Sequence, residues 1–204
     1  TYLIKLAESL QKDGFDVGYD VLWDAHKAEG IIRHGLRHQA DLIVAHVGRH
    51  HLGHYLLGQG DWRLISECPI PLLMMRDREW ATHPRIAAGV DPFHQCEDPD
   101  KLDHRIVDTA KEVVAASMGE FHIVHSFNAV PQSAIFDEHL TADFETLHAK
   151  VRDQHTASLH SLLENEGLSS AILHLEEGDV HRAIPAMAER EQIDLLIMGT
   201  ISRG

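Results

Sequence analysis

One pattern occurs twice in this chain of 204 residues, and it constrains the fold more than any other feature. An acidic residue precedes a short apolar run that ends at a glycine, first over residues 41–48 and again from Asp194 to Gly199. Each copy follows a segment with the apolar spacing of a helix, so each predicts a buried strand that leads into a glycine loop. The repetition indicates two related α/β units in tandem.

The apolar spacing predicts alternating helices and strands along the chain. In the first unit we expect helices near residues 3–10 and 28–36, and strands at 17–23, 42–44 and 69–75. In the second we expect strands at 85–91, 121–125, 171–175 and 195–198, and helices at 102–113, 144–162 and 180–188. Pro185 is expected to kink the last helix or to lie in its first turn.

Such apolar strands separated by helices are typical of a parallel sheet covered on both faces. The fold class expected is therefore α/β, with two tandem open parallel sheets and flanking helices. The charged stretch 77–84 interrupts the alternation of predicted helices and strands, and we place the domain boundary there. This gives domains at residues 1–80 and 81–204.

Composition excludes several classes of function. The formal net charge of −14 disfavours binding to nucleic acid or to an anionic membrane. Cys68 and Cys96 are far apart, which argues against a disulfide framework or a zinc ribbon and fits a reducing cytoplasm. No apolar run approaches the roughly 18 to 20 residues that span a membrane. We expect a cytoplasmic protein whose partners are small molecules or proteins.

The ends of two strands in the second unit predict a ligand site. Ligands of open parallel sheets bind at the carboxyl ends of the strands, and a strand order of 3-2-1-4 places Asp91 beside Gly199. A carboxylate accepts hydrogen bonds from a base or ribose, and a glycine lets backbone N–H groups approach a phosphate. The alternative is structural, since a glycine after a strand and an Asp-Pro pair are both common in turns.

Several segments resemble the universal stress protein family. Ala40 to Arg49, with the later Gly58 and the run 68–76, is similar to the end of one such domain. The segment 193–200 is similar to the same place in a second domain. Residues 86–91 and 124–126 are similar to the first two strands of that second domain.

The resemblance covers almost the whole chain and points to the tandem two-domain type, the E-type. It implies a Rossmann-like fold with strand order 3-2-1-4-5 and a non-catalytic role in stress response. It also implies that the two domains pair as an intramolecular pseudo-dimer, with a homodimer as a further option. Compared with the two-domain pattern, we expect the chain to lack the start of the first domain and the end of the second.

Nucleotide-binding residues follow from the resemblance and not from spacing alone. Asp91 is implied to contact the adenine or ribose of ATP or AMP, Ser126 and Met198 to line the base, and Gly199 with Thr200 to open the phosphate loop. In the first domain, Gly48 and Gly58 occupy the corresponding loop.

Both loops depart from the family pattern. In the first, Ala45 replaces a glycine and Gln59 replaces a serine or threonine, so we expect no ATP there. In the second, Ser202 replaces a glycine, and the chain ends before the distal part of the loop.

Histidine accounts for 18 residues, and several of them cluster in the first loop. His46, His50 and His54 have the i, i+4 spacing that would chelate zinc or copper if the loop were helical. No Cys or acidic residue lies within the cluster, so solvated histidines are the alternative interpretation and a bound metal is not the expectation. His34 and His38 form a second i, i+4 pair on a helix surface.

Two rival functions stay open at this point. One is a nucleotide-handling enzyme, such as a weak ATP hydrolase, a pyrophosphatase or a flavin carrier. The chain contains no dinucleotide-binding fingerprint, no Walker A loop and no nucleophile elbow, so we predict that it is not an enzyme. The other is a metal-binding module built on the loop histidines.

Overall fold

The computed structural model describes residues 2–47, 59–93, 99–128 and 141–200. The chain divides into two compact units, residues 1–77 and residues 78–199, and Thr200 groups with the first. The domain bounds expected at residues 1–80 and 81–204 stay a prediction. No helix within the described ranges is long and apolar enough to cross a membrane.

The first unit contains three helices and two strands in its described part. In chain order they are α1 (Tyr2–Lys12), α2 (Lys27–Arg37), β1 (Ile43–His46), α3 (Gln59–Glu67) and β2 (Leu72–Met75). The strands pair in parallel, with Ile43 opposite Leu72. Gly14, with φ of +93°, follows α1 as predicted, because glycine adopts this left-handed conformation without steric cost.

Two expectations for the first unit were wrong. Residues 17–23 alternate between apolar and polar but form no strand, because no described strand pairs with them, and Trp23 is 90% exposed. Helix α3 was not predicted, because Leu64 is its one buried apolar side chain within the described part and a single position gives no periodic signal.

The second unit has four strands alternating with three helices within residues 78–93, 99–128 and 141–199. They are β3 (Arg85–Gly89), α4 (Pro99–Ser117), β4 (Glu120–Phe127), α5 (Thr141–Asn165), β5 (Ile172–Glu177), α6 (Val180–Arg190) and β6 (Leu195–Met198). All pairings are parallel and the order is β5-β4-β3-β6. In the numbering of this unit the order is 3-2-1-4, as predicted.

Both faces of this sheet are covered, as near-continuous apolar strands predict. On one face Ile86 and Ile123 pack with Leu159 and other residues of α4 and α5. On the other, Ala87 and Val124 pack with Ile184, Met187 and Ile193.

Helix α6 runs through its proline. Asp179 caps the helix by accepting the N–H of His181 at 2.9 Å, and Pro185 lies in the second turn. A first-turn position for Pro185 was therefore wrong, because α6 already begins at Val180, directly after the capping aspartate, whereas a kink at Pro185 stays a prediction.

The acidic residue of the repeated pattern has a structural role in the second unit. The side chain of Asp194 is only 5% exposed, and its Oδ2 accepts the backbone N–H of Arg85 at 3.0 Å. The backbone N–H of Asp194 donates in turn to the carbonyl of Arg85 at 2.8 Å. These bonds join the first residues of β3 and β6.

Glu166 links α4 to the end of α5. Its carboxylate accepts hydrogen bonds from Lys111 and His104 on α4, and its side chain is 8% exposed. Burial opposes ionisation of this carboxyl, but the bonds from Lys111 and His104 outweigh it and lower its pKa. Ionised Glu166 therefore stabilises the contact between the two helices.

Two histidines stack between β4 and β5. His122 Nδ1 lies 2.8 Å from His174 Nε2, with the rings nearly parallel at 8°. His122 is 2% exposed, and Oε2 of Glu120 lies 3.4 Å from its Nε2 without forming a hydrogen bond. Burial and the neighbouring His122 ring lower the pKa of His174, against smaller opposing effects of Glu191 and Glu176.

We expect Glu166→Gln to lower the free energy of unfolding by about 1–3 kcal/mol at pH 7, the cost of losing a hydrogen bond to a charged group inside a protein. A carboxyl with a lowered folded-state pKa contributes stability above its unfolded pKa, and this contribution disappears as the pH falls through the folded value. The difference from wild type should therefore shrink in acid. Urea unfolding followed by circular dichroism measures it. An equal loss in Glu164→Gln, an exposed neighbour, would contradict this role.

The lowered pKa of His174 predicts that stability falls as the pH drops below about 6.5. In that range the unfolded chain binds a proton that folded His174 resists, so protonation favours unfolding. His174→Gln should flatten the dependence of the unfolding free energy on pH between about 7.5 and 5.5. His160→Gln, on the exposed surface of α5, is the control. Equal slopes in wild type and His174→Gln would refute the assignment.

Candidate functional site

The predicted site residues of the second unit meet at the carboxyl edge of its sheet. β3 lies beside β6 with Gly89 opposite Met198, so Asp91 and Gly199 follow strand ends at the same edge. Ser126 lies near the end of β4, which pairs with the other side of β3. The structure therefore brings four of the five predicted residues to one edge, while their role in binding stays a prediction.

The side chain of Met198 packs against Gly89 on the neighbouring strand β3. A Cβ built on Gly89 would meet Met198 Cγ at 3.0 Å, so the missing side chain makes room for the thioether. Met198 is 46% exposed and presents an apolar, polarisable surface to solvent. Such a surface can pack against a planar ring.

Asp91 lies at the same edge of the sheet, two residues after Gly89. The backbone N–H of Asp91 donates to both oxygens of Asp103 at 3.2 Å, and Asp103, on α4, is buried. Oδ1 of Asp91 accepts the N–H of Phe93 at 3.2 Å. The side chain stays 51% exposed, so it can still accept hydrogen bonds from a ligand.

A pair of histidines supports this edge from within. His125 Nδ1 lies 3.0 Å from the carbonyl of Val90, and His125 Nε2 lies 2.7 Å from His155 Nδ1. A carbonyl only accepts, so His125 Nδ1 donates to Val90, and the second bond joins His125 Nε2 to His155 Nδ1.

Aromatic rings enclose the histidine pair. Phe93 lies 4.1 Å from the His155 ring and Phe127 lies 4.9 Å from it, between ring centroids. Burial and the His125 ring lower the pKa of His155, and Asp91 only partly opposes this. The packed pair therefore holds the chain just after β3 in place through the bond from His125 to the carbonyl of Val90, one residue before Asp91.

Gly199 allows β6 to pack closely against α4. A Cβ at this position would lie 2.8 Å from Leu102 Cδ2, so a larger residue would force the Leu102 side chain to shift. Gly199 does not adopt the positive φ that the turn alternative needs, and its role in a phosphate loop stays a prediction.

Thr200 directly follows Gly199, and its role in binding stays a prediction. The predicted residues of the first unit belong to other places. Gly48, Gly58, His50 and His54 lie outside the described residues. His46 ends β1, and its Nε2 lies 3.0 Å from Asp77 Oδ1, with both side chains exposed.

Sequence reasoning missed the residues that support the site. His122 and His125 interrupt an otherwise apolar strand, and this interruption was the available signal. Phe93 and His155 gave none, because an isolated aromatic residue and a helical histidine are common in any domain. The contact of Met198 with Gly89 depends on the register of β3 and β6, which the sequence does not supply.

Comparison with known proteins places this geometry in a family. The model of the universal stress protein family matches residues 85–204, which is more than half of the chain. The universal stress protein E homolog of Haemophilus influenzae is 27% identical over 187 residues, and the universal stress protein E of Escherichia coli K12 is 25% identical over 196. These alignments cover 90% and 93% of the chain and 60% of each relative, so the chain spans about three fifths of their length.

Solved structures agree in fold. A functionally unknown protein from Pseudomonas aeruginosa PAO1 has a TM-score of 0.81 at 21% identity. The superposition covers 99% of this chain and 67% of the Pseudomonas chain. A universal stress protein from Archaeoglobus fulgidus has a TM-score of 0.63 at 21% identity, covering 97% and 65%. At these identities the similarity shows the fold alone. With the family match over the second unit, it follows that the chain belongs to the universal stress protein family.

Proposed function

We propose that the second unit binds an adenine nucleotide, ATP or AMP, as a non-catalytic component of a cytoplasmic stress response. The observation that carries the proposal is the placement of Asp91 and Met198 at the ends of adjacent parallel strands. An acceptor beside an exposed apolar surface suits a nucleoside, which combines a planar base with hydroxyl and amine donors.

Each side chain has a separate role in this proposal. The base packs on the Met198 thioether over Gly89, where no Cβ intervenes. The Asp91 carboxylate accepts hydrogen bonds from the ribose or from the base amine. Ser126, half-buried near the end of β4, offers a hydroxyl that donates or accepts at the edge of the base.

The phosphates need a different part of the site. The net charge of −14 disfavours an anion at long range, so local donors must offset it. Backbone N–H groups in a glycine loop supply such donors without a charged side chain. We propose that the loop starting at Gly199 and Thr200 provides them.

The non-catalytic role rests on the side chains at this edge. The histidine pair that could move a proton is already bonded within the protein, through Val90 and the two imidazoles. Asp91, the exposed acidic group, is proposed to bind the nucleoside and not to activate water. Nucleotide occupancy would then regulate which protein partners the chain contacts, with the two domains paired as a pseudo-dimer.

We expect Asp91→Asn to weaken binding of ATP and AMP by about tenfold or more. A hydrogen bond to a charged group contributes about 1.5–3 kcal/mol, and 1.4 kcal/mol is tenfold in affinity. Isothermal titration calorimetry on the full chain measures the change. Asp153→Asn removes the same charge from exposed α5, away from the sheet edge, and should bind like wild type. Equal affinities for Asp91→Asn and wild type would overturn the proposed site.

Identification of any small molecule released when the purified chain is denatured separates the candidate functions. Recovered ATP or AMP supports the proposal. A flavin would favour an electron carrier instead. Steady phosphate release from ATP that is lost in Asp91→Asn would contradict the non-catalytic role.

A further inference from the structure

A cluster of two histidines and an aspartate lies in the first unit, away from the nucleotide edge. His34 is in the last turn of α2 and His38 is the residue that ends it, four positions later. Their ring centroids are 4.4 Å apart, with the planes inclined at 51°. Asp20 comes from the irregular segment between α1 and α2, and its Oδ2 lies 3.7 Å from His34 Nε2.

We propose that Asp20, His34 and His38 bind a divalent transition-metal ion, with Zn²⁺ as the reference ion. One ligand atom from each residue lies within 4.8 Å of the others. In a tetrahedral zinc site with metal–ligand distances of about 2.0–2.2 Å, ligand atoms are separated by about 3.3–3.6 Å. The observed 3.7 Å between Asp20 and His34 is already close to that separation.

Helix α2 positions the two histidines, and Asp20 is the third ligand. Positions i and i+4 of a helix share one face, so α2 brings both imidazoles together without any tertiary contact. The side chains of His34 and Asp20 are 35% and 58% exposed, so both can rotate by the fraction of an ångström that a metal requires. A set of two histidines and one carboxylate is typical of zinc sites that keep an open position.

The surrounding charges favour a cation. The carboxyl end of a helix carries a partial negative charge, and His34 and His38 are located there on α2. Two arginines of α2, Arg33 and Arg37, directly precede His34 and His38 and oppose a cation, and the pairing of Arg33 with Asp24 offsets its share of this repulsion. Asp20 contributes a full negative charge directly to the site.

A cavity lies beside the two histidines of the proposed site. It has a volume of about 470 Å³, and both His34 and His38 line it together with the apolar side chains of Leu22, Trp23 and Ile31. Three protein ligands leave a fourth position for water or for a ligand oxygen that enters from the cavity. The site is distinct from the loop cluster of His46, His50 and His54, because His38 precedes β1 and His46 ends it.

The test is a titration of the metal-free full chain with Zn²⁺ by calorimetry, and with Co²⁺ by visible absorption, which reports tetrahedral coordination. We expect His34→Gln, His38→Gln and Asp20→Asn each to weaken binding by at least about tenfold, because losing a group that merely orients a ligand already costs about 10–100-fold. His160→Gln removes an exposed histidine from α5 and should leave the affinity unchanged.

Two outcomes would overturn the proposal. One is the absence of Zn²⁺ binding to the wild-type chain. The other is binding that persists in His38→Gln but disappears in a His50→Gln/His54→Gln variant, which would assign the metal to the loop. A measurement on the wild type does not depend on how the variants fold: Zn²⁺ should shift the imidazole NMR signals of His34 and His38, and shifts confined to other histidines would refute the site.

Discussion

The pairing of β3 with β6 is the constraint on which the second unit and its candidate site depend. Asp194, the residue before β6, bonds to the backbone of Arg85, the first residue of β3, and its side chain is only 5% exposed. With the start of the pair fixed, Gly89 and Met198 are opposite each other at the other end. The same register therefore also brings Asp91 and Met198 to one edge of the sheet.

Much of this arrangement follows from the sequence. Apolar runs such as 86–90 are typical of a sheet covered on both faces, so the parallel architecture was predictable from the sequence pattern. The strand order 3-2-1-4 and most of the site residues were implied by the family resemblance, while Asp91 and Gly199 also followed from the shared edge of parallel strand ends. Gly199 shows the limit of this reasoning: its position was predicted, whereas its reason, contact with Leu102 of α4, depends on the packing of a helix.

Other features could not be predicted for physical reasons. Residues 17–23 have the alternation of a strand, but a strand forms only where a neighbour satisfies its backbone, and the local sequence does not contain that information. Asp20 lies in this same irregular segment, so its approach to His34 depends on tertiary structure, whereas the His34–His38 pair was visible from helical spacing alone.

We propose that a nucleotide binds at the edge formed by β3, β4 and β6, and NMR of the ¹⁵N-labelled chain during an ATP titration is the sharpest test. We expect saturable shifts of the backbone amides of Asp91, Ser126 and Met198, with α1 and α2 unaffected. Shifts confined to the first unit, or none at all at saturating ATP, would contradict it.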